Sequence, residues 1–360
     1  MSEAGEISDE GAPEYLGGFS TTAVWRDVWR SAFRPDAFDW ISSDGTIVPV
    51  YTTQRRVAGI PLRIVHSATN EHTASWDIAG GANGEDFVRE LLVDTDCDML
   101  VADFVEDSAR VVDAIRGSGL AYRSRVTSRS SVTDCSGRIE DWWESRVPKV
   151  RNDWRRRRHR LDERGVQFAC ERSWSEVEPI FDELLAVEGS GWKAEAGTAI
   201  RQSGATTTFY RELCRRAAEM GALRLYHLRL DGRVVAFQID ILWNGSVWNL
   251  KVGYLEEERR SGVGVVLQQY VFEDVFADLG VDRFDFLGGA LEPALYTVRY
   301  ASEFLDRSRF TVFAPTWRGR LAWARLGLGT DVLDLVRPPA RSLVAWTRSE
   351  FASTRRQSPH

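Results

Sequence analysis

Apolar positions change their spacing repeatedly along the chain. In TTAVWRDVWRSAF, from Thr21 to Phe33, they recur every three or four residues, the spacing that lines one face of a helix. TIVPVYTTQRRV and PLRIVHSA carry the β-branched runs of strands, GEDFVRELLVD returns to the helical period, DMLVADFV predicts a strand and DSARVVDAIRGSG a helix. Such alternation predicts an α/β domain. A basic stretch, DWWESRVPKVRNDWRRRRHRLDERG, interrupts it. Then come a strand VQFACER, a helix SWSEVEPIFDELLAVEGSGWK opened by a capping box from Ser175 to Glu178, a loop AEAGTAIRQSG and a helix TTTFYRELCRRAAEMG. ALRLYHLRL, RVVAFQIDILW and SVWNLKVGYLE follow as three strands. Their joints are Asp231-Gly232 and Asn244-Gly245, dipeptides that suit two-residue hairpin turns because both central positions take positive φ. The remainder predicts a loop RRSGVG, a helix VVLQQYVFEDVFADLG, a strand VDRFDFLGG, a helix PALYTVRYAS and a strand SRFTVFAP.

The second hairpin also sets a register. A two-residue turn at Asn244-Gly245 pairs Trp243 with Ser246, which puts Asp240 opposite Asn249 and Gln238 opposite Lys251. All four side chains then share one face, and Phe237, Ile239, Ile241, Leu250 and Val252 take the other. A central strand pair of an α/β sheet is apolar on both faces unless one lines a cleft. Gln238, Asp240, Asn249 and Lys251 are therefore expected to form a polar cleft wall, or else an exposed face or a structural Asp240–Lys251 pair.

Length adds a domain count. At 360 residues the chain exceeds one ordinary core, and two domains are expected, with 43% hydrophobic residues to fill them. No apolar run reaches membrane-spanning length and the N-terminus is acidic, so a cytoplasmic protein without stable membrane insertion is expected. Cys97, Cys135, Cys170 and Cys214 lack metal-ligand spacing and the five histidines form no ligand pairs, so no metal is expected. A net charge of −7 argues against general adhesion to nucleic acid. Lysine occurs only at Lys149, Lys193 and Lys251 among 46 basic residues, so each lysine is an exception in an arginine-rich chain.

Chemistry concentrates at Arg259-Arg260-Ser261-Gly262-Val263-Gly264, between a strand and a helix. Glycines there let an anion approach the backbone, the helix N-terminus supplies N–H groups and positive potential, and the arginines add charge-assisted hydrogen bonds. The loop is expected to cradle a pyrophosphate.

The element order and the R-x-x-G-x-G pattern resemble the GNAT acyltransferase superfamily. More narrowly, KVRNDWRRRRHRLDERG, GWKAEAGTAI, LRLDGRVVAFQIDI and RFDFLGG resemble the acetyltransferase family named for cellulose biosynthesis, which has two GNAT-like halves, and, more distantly, the Fem-type aminoacyltransferases. Tyr296-Thr297 departs from the tyrosine-lysine pair of many of its members. The resemblance implies tandem GNAT-like domains, each a mixed sheet flanked by helices. The expected divisions are a tail over 1–14, a degenerate GNAT-like half over 15–135, a basic connecting helix over 136–165, an acyl-CoA-binding half over 166–315 and a basic amphipathic tail over 316–360.

It further implies acyl-CoA, or a phosphopantetheine thioester on a carrier protein, as donor to a small-molecule or peptide amine. Attack is expected to be direct, with the carbonyl polarised by backbone near Tyr254. An attacking amine must be neutral, so the site needs a proton acceptor, for which Asp240 and then Glu188 are candidates, and a donor to the leaving sulfur, for which Tyr296 is favoured over Tyr300. Trp192 and Lys193 resemble an acceptor-side segment. The alternatives are transfer from aminoacyl-tRNA held by Arg155 to Arg160, or a binding module for polysaccharide or carrier assembly without turnover.

Overall fold

Both predicted hairpin turns form as their dipeptides require. Asp231 and Gly232 take φ of 51° and 79°, Asn244 and Gly245 take 45° and 70°, and each turn joins neighbouring antiparallel strands. These features belong to a computed structural model that describes residues 18–57, 59–80, 86–190, 203–288 and 290–326. The proposed acceptor-side residues Trp192 and Lys193 lie outside the described residues, as do most of the expected tails.

Among the described residues the strands are β1 (Phe38–Ile41), β2 (Thr46–Val57), β3 (Ile60–Ser67), β4 (Ala79–Gly80), β5 (Met99–Glu106), β6 (Tyr122–Asp134), β7 (Gln167–Glu171), β8 (Leu223–Leu230), β9 (Arg233–Trp243), β10 (Ser246–Tyr254), β11 (Arg283–Asp285) and β12 (Glu303–Phe313). They form one mixed sheet in the order β1-β2-β3-β5-β12-β6-β11-β10-β9-β8-β7, with β4 beside β2. Counted outward from the centre, the order is palindromic. β12 and β6 pair antiparallel in the middle, β5 and β11 flank them, β3 and β10 run parallel to β5 and β11, and β2 and β9 close antiparallel hairpins beyond. Each half thus lends its last strand to the other. The boundary expected near residue 135 falls at the end of β6, a strand whose ladders are with β11 and β12.

The pattern of apolar positions fails to predict three strands. β1 and β4 are short, and β6 reads YRSRVTSRSSVTD, with hardly an apolar residue, yet Ser128, Ser130, Ser131 and Thr133 are buried. Three of the four hydroxyls are used instead: Ser130 Oγ accepts from Arg307 Nη1 at 2.9 Å, Ser131 pairs with Thr297 at 2.9 Å, and Thr133 donates to the Tyr300 carbonyl at 2.9 Å. The capping box also sits two residues earlier than expected, from Ser173 to Glu176, because the helix starts at Trp174 and tightens into a 3₁₀ turn at Glu178–Ile180.

Helices cover the sheet in patches. Val263–Ala277 lies over Tyr226, Leu228, Val235 and Ala236, and the Pro148–Glu163 helix packs onto it through Trp154 and Leu161. Ala23–Phe33, Phe181–Glu188 and Gly204–Glu219 share a second core with Leu225, Phe237, Ile239 and Ile241, while Trp317–Leu326 covers Ile60, Leu62 and Phe313. Each such buried large side chain contributes about 1.5–3 kcal/mol. No described helix is long and apolar enough to cross a membrane.

Candidate functional site

The glycine loop is built by a sharp change of backbone direction. Glu256–Ser261 form a 3₁₀ turn, Gly262 takes the left-handed conformation at φ 75°, and the helix Val263–Ala277 starts there without a side-chain cap. A Cβ on Gly262 would meet Arg157 Nη1 at 2.5 Å, so Arg157 of the Pro148–Glu163 helix lies directly over this glycine. Gly264 is exposed, and a Cβ there would touch only Tyr254 Cδ1, at 3.6 Å. Three acids precede the loop, and each is neutralised. Glu256 pairs with Arg259 at 3.2 Å, Glu257 pairs with Arg233, and Glu258 pairs with Arg164 at 2.7 Å. Hydrogen bonding from Arg164 holds the Glu258 carboxyl down at about 2. Arg164 also donates to Ser261 Oγ at 3.1 Å, while Arg259 and Arg260 are exposed. An uncapped helix N-terminus with its acids masked and guanidinium groups beside it fits a phosphate group.

β10 parts from β11 beside this loop. Their parallel ladder covers Ser246 to Trp248 only, ending with Trp248 opposite Asp285, whereas β10 runs on to Tyr254. β11 ends at that rung, so a gap in the ladder lies beside the rest of β10, with Tyr254 at the end of that strand. Tyr296, on the short helix Leu295–Val298, is 47% exposed, and partial desolvation together with neighbouring Tyr254 raises its phenol above the ordinary tyrosine value. It is thus a protonated group at the gap. Tyr300 is a core residue instead, stacked on Trp154 at 4.8 Å and on Phe286 at 5.5 Å.

The expected polar wall is split between the two faces of the sheet. Asp240 does oppose Asn249, but a β-bulge at Leu250 shifts the ladder so that Lys251 opposes Ile239 and Val252 opposes Gln238. One extra residue turns the lysine through to the other face. Gln238, Asp240 and Asn249 remain together, buried on the face of Arg224 and Tyr226, whose side chains reach Asp278 and Asp274 at the end of the Val263–Ala277 helix. Asp240 Oδ1 accepts from Asn249 Nδ2 at 2.6 Å and Oδ2 from Gln238 Nε2 at 2.7 Å. Burial nevertheless pushes this carboxyl up to about 8, against those two hydrogen bonds. Asp240 is therefore not in an open cleft.

Lys251 meets Glu188 on the opposite face, Nζ to Oε1 at 2.9 Å, with Glu188 2% exposed. The lysine also lies 5.6 Å over the Tyr210 ring, and the Tyr210 hydroxyl pairs with His72 Nδ1 at 3.2 Å. His72 belongs to the first half of the chain, so this polar chain crosses between the halves. Desolvation chiefly holds His72 down at about 4, which keeps its ring neutral at ordinary pH.

Sequence reasoning missed Arg164, Tyr210 and His72, and took Arg157 only as one of the Arg155 to Arg160 run that would hold tRNA. Trp154 and Leu161, one heptad apart, are the signal that docks the basic helix and so aims Arg157 at the loop; nothing in the sequence pairs His72 with Tyr210. Within that helix Arg158 lies 3.4 Å over the Tyr270 ring and pairs with Glu273 at 3.0 Å, so the arginine run is in part a docked face.

Residues 148–296 match the Acetyltransferase (GNAT) domain, starting with the helix that carries Arg157 and ending at Tyr296. No curated protein matches the sequence. Among solved structures, the C-terminal domain of a putative lysylphosphatidylglycerol synthetase from Agrobacterium fabrum is similar at 13% identity and a TM-score of 0.55, over 83% of this chain and 90% of that one. L-PGS from Bacillus licheniformis is similar at 14% identity and 0.52, over 85% and 97%. FemX is similar at 10% identity and 0.55, over 83% and 93%. At these identities the likeness is one of fold, and it extends across both halves.

Proposed function

We propose that the protein is an N-acyltransferase that takes an acyl group from acyl-CoA, or from a phosphopantetheine thioester, and passes it to an amine held between the halves. The uncapped helix start at Gly262–Gly264, roofed by Arg157 and set against Tyr254 at the mouth of the β10–β11 gap, carries this reading. Val263 and Gly264 N–H groups, with Arg157, Arg259 and Arg260, would hold the pyrophosphate. The donor supplies an activated thioester carbonyl. Backbone freed where β10 leaves β11 polarises that carbonyl near Tyr254, and Tyr296 gives a proton to the departing sulfur. Asp240 is buried beneath the Val263–Ala277 helix and Glu188 is itself buried and paired with Lys251, which supports giving the proton-accepting role to water.

Calorimetric titration with acetyl-CoA tests this reading on the intact chain and on Gly264→Trp. The tryptophan fills the cradle at a position free of backbone strain, whereas any side chain at Gly262 would be strained. Micromolar binding that the variant loses while keeping its thermal midpoint supports the donor assignment. Absence of binding in the wild type refutes it and turns attention to aminoacyl-tRNA, whose binding would weaken steeply with salt.

A further inference from the structure

We infer that the floor between the two halves binds an oxyanion, a carboxylate or a phosphate, carried by the acceptor. What the site is for rests on the acyltransferase reading; whether it binds does not. Trp248 is 3% exposed, Ser128 1% and Arg307 0%, yet the Trp248 Nε1, Ser128 Oγ and Arg307 Nε atoms have no hydrogen-bond partner. Arg283 Nε and Arg309 Nη1 add two more buried N–H groups without acceptors.

The sheet register brings these groups together on neighbouring strands. Trp248 of β10 stands opposite Asp285 of β11, Asp285 Oδ2 accepts from Arg307 Nη2 at 2.6 Å, and Arg307 of β12 stands opposite Ser128 of β6. The guanidinium carbons of Arg283 and Arg307 lie 5.6 Å and 6.0 Å from the Trp248 ring centre. Indole and guanidinium N–H groups can only donate, so nearly all of the unmet capacity here is for donation. The nearby carboxylates are already engaged: Asp285 and Glu106 accept from Arg307, and Asp103 accepts from Arg309. A group that completes this floor must bring acceptors, and a buried donor without one is costly enough that proteins rarely leave several side by side. Three of the unmet donors belong to the guanidinium groups of Arg283, Arg307 and Arg309, and a charged acceptor makes the stronger hydrogen bonds to such donors, so an oxyanion fits better than a neutral carbonyl. The Trp248–Asp285 rung is the last before β10 and β11 separate, so an oxyanion anchored there leaves the amine end of the acceptor toward the gap.

Calorimetric titration of the full chain without acyl-CoA tests this, using succinate, inorganic phosphate and the neutral isostere succinamide as probes. Succinate or phosphate is expected to bind at least tenfold more tightly than succinamide, and the stronger of the two identifies the oxyanion. Ser128→Ala removes the hydroxyl alone, while Trp248→Phe removes the N–H together with the pyrrole ring that bears it. The double variant should weaken anion binding at least fivefold; Ser128→Ala alone should not lower the thermal midpoint of the free protein, because its hydroxyl serves no bond within the fold, whereas Trp248→Phe leaves a small cavity at a buried position and lowers it modestly. Equal affinity for succinate and succinamide, or unchanged affinity in the double variant, overturns the inference. A marked fall in the midpoint for Ser128→Ala alone overturns it too, by assigning the hydroxyl to the fold. Loss of anion binding with acetyl-CoA binding intact sinks this site alone; the reverse pattern sinks the donor assignment alone.

Discussion

Asp240→Asn isolates what a buried carboxyl does to stability. Asp240 is 0% exposed, and burial raises its pKa from the 3.8 of an exposed carboxyl to about 8. Between those values the folded protein keeps a proton that the unfolded chain releases. Stability is therefore fully retained below about pH 4, falls as pH rises toward 8, and levels off above it. At about 1.4 kcal/mol per pH unit, the ionisation mismatch approaches roughly 4 kcal/mol at pH 7, with the opposing pull of the Asn249 and Gln238 amides already included. Asparagine has nearly the same shape and cannot ionise. Urea denaturation of both proteins at pH 5, 6, 7 and 8, followed by circular dichroism, is expected to show the variant gaining about 2–4 kcal/mol on the wild type between the extremes. Comparing the pair cancels every other titrating group. Parallel stability curves would refute the reasoning, since they require a carboxylate ionised throughout and held by its two amide donors.

Three further outcomes follow from the same geometry. Lys251→Met leaves Glu188 as an uncompensated buried charge and should destabilise by about 3–5 kcal/mol, most of it restored in Lys251→Met/Glu188→Gln; a loss of under about 1 kcal/mol in the single variant by urea titration contradicts a buried pair. Gly262→Ala forces a strained φ and drives a Cβ into Arg157, so its midpoint should drop by the equivalent of about 1–3 kcal/mol, whereas Gly264→Ala should be nearly neutral by calorimetry. If Tyr296 protonates the leaving sulfur, Tyr296→Phe lowers kcat by about 10²-fold with acetyl-CoA affinity unchanged, while Tyr300→Phe alters stability and leaves kcat alone; equal kcat for Tyr296→Phe and wild type removes the phenol from the chemistry.

Much of this protein is local and therefore written in its sequence. Asp231-Gly232 and Asn244-Gly245 dictate their turns because only a few residues accept two positive φ values in succession, and Gly262 and Gly264 mark the loop for the same steric reason. Helical periodicity placed Ala23–Phe33 and Gly204–Glu219, since each buries one stripe in the shared core, whereas Val263–Ala277 is apolar nearly all round because it lies between the sheet and the Pro148–Glu163 helix. β6 escaped notice because its burial is satisfied by hydroxyl hydrogen bonds and an arginine from β12, and no apolar alternation announces such a strand. Likewise a single bulge at Leu250, invisible in sequence, moved Lys251 from Asp240 to Glu188 and so redrew the candidate site. The sequence by itself determined the turns, the helix faces and the glycine loop, because each depends on neighbours a few residues away. Only the tertiary structure decided which half supplies β6 and β12 to which, that His72 meets Tyr210, and that Trp248, Ser128 and Arg307 share one floor, because those contacts join residues remote in the chain whose pairing depends on strand order and register.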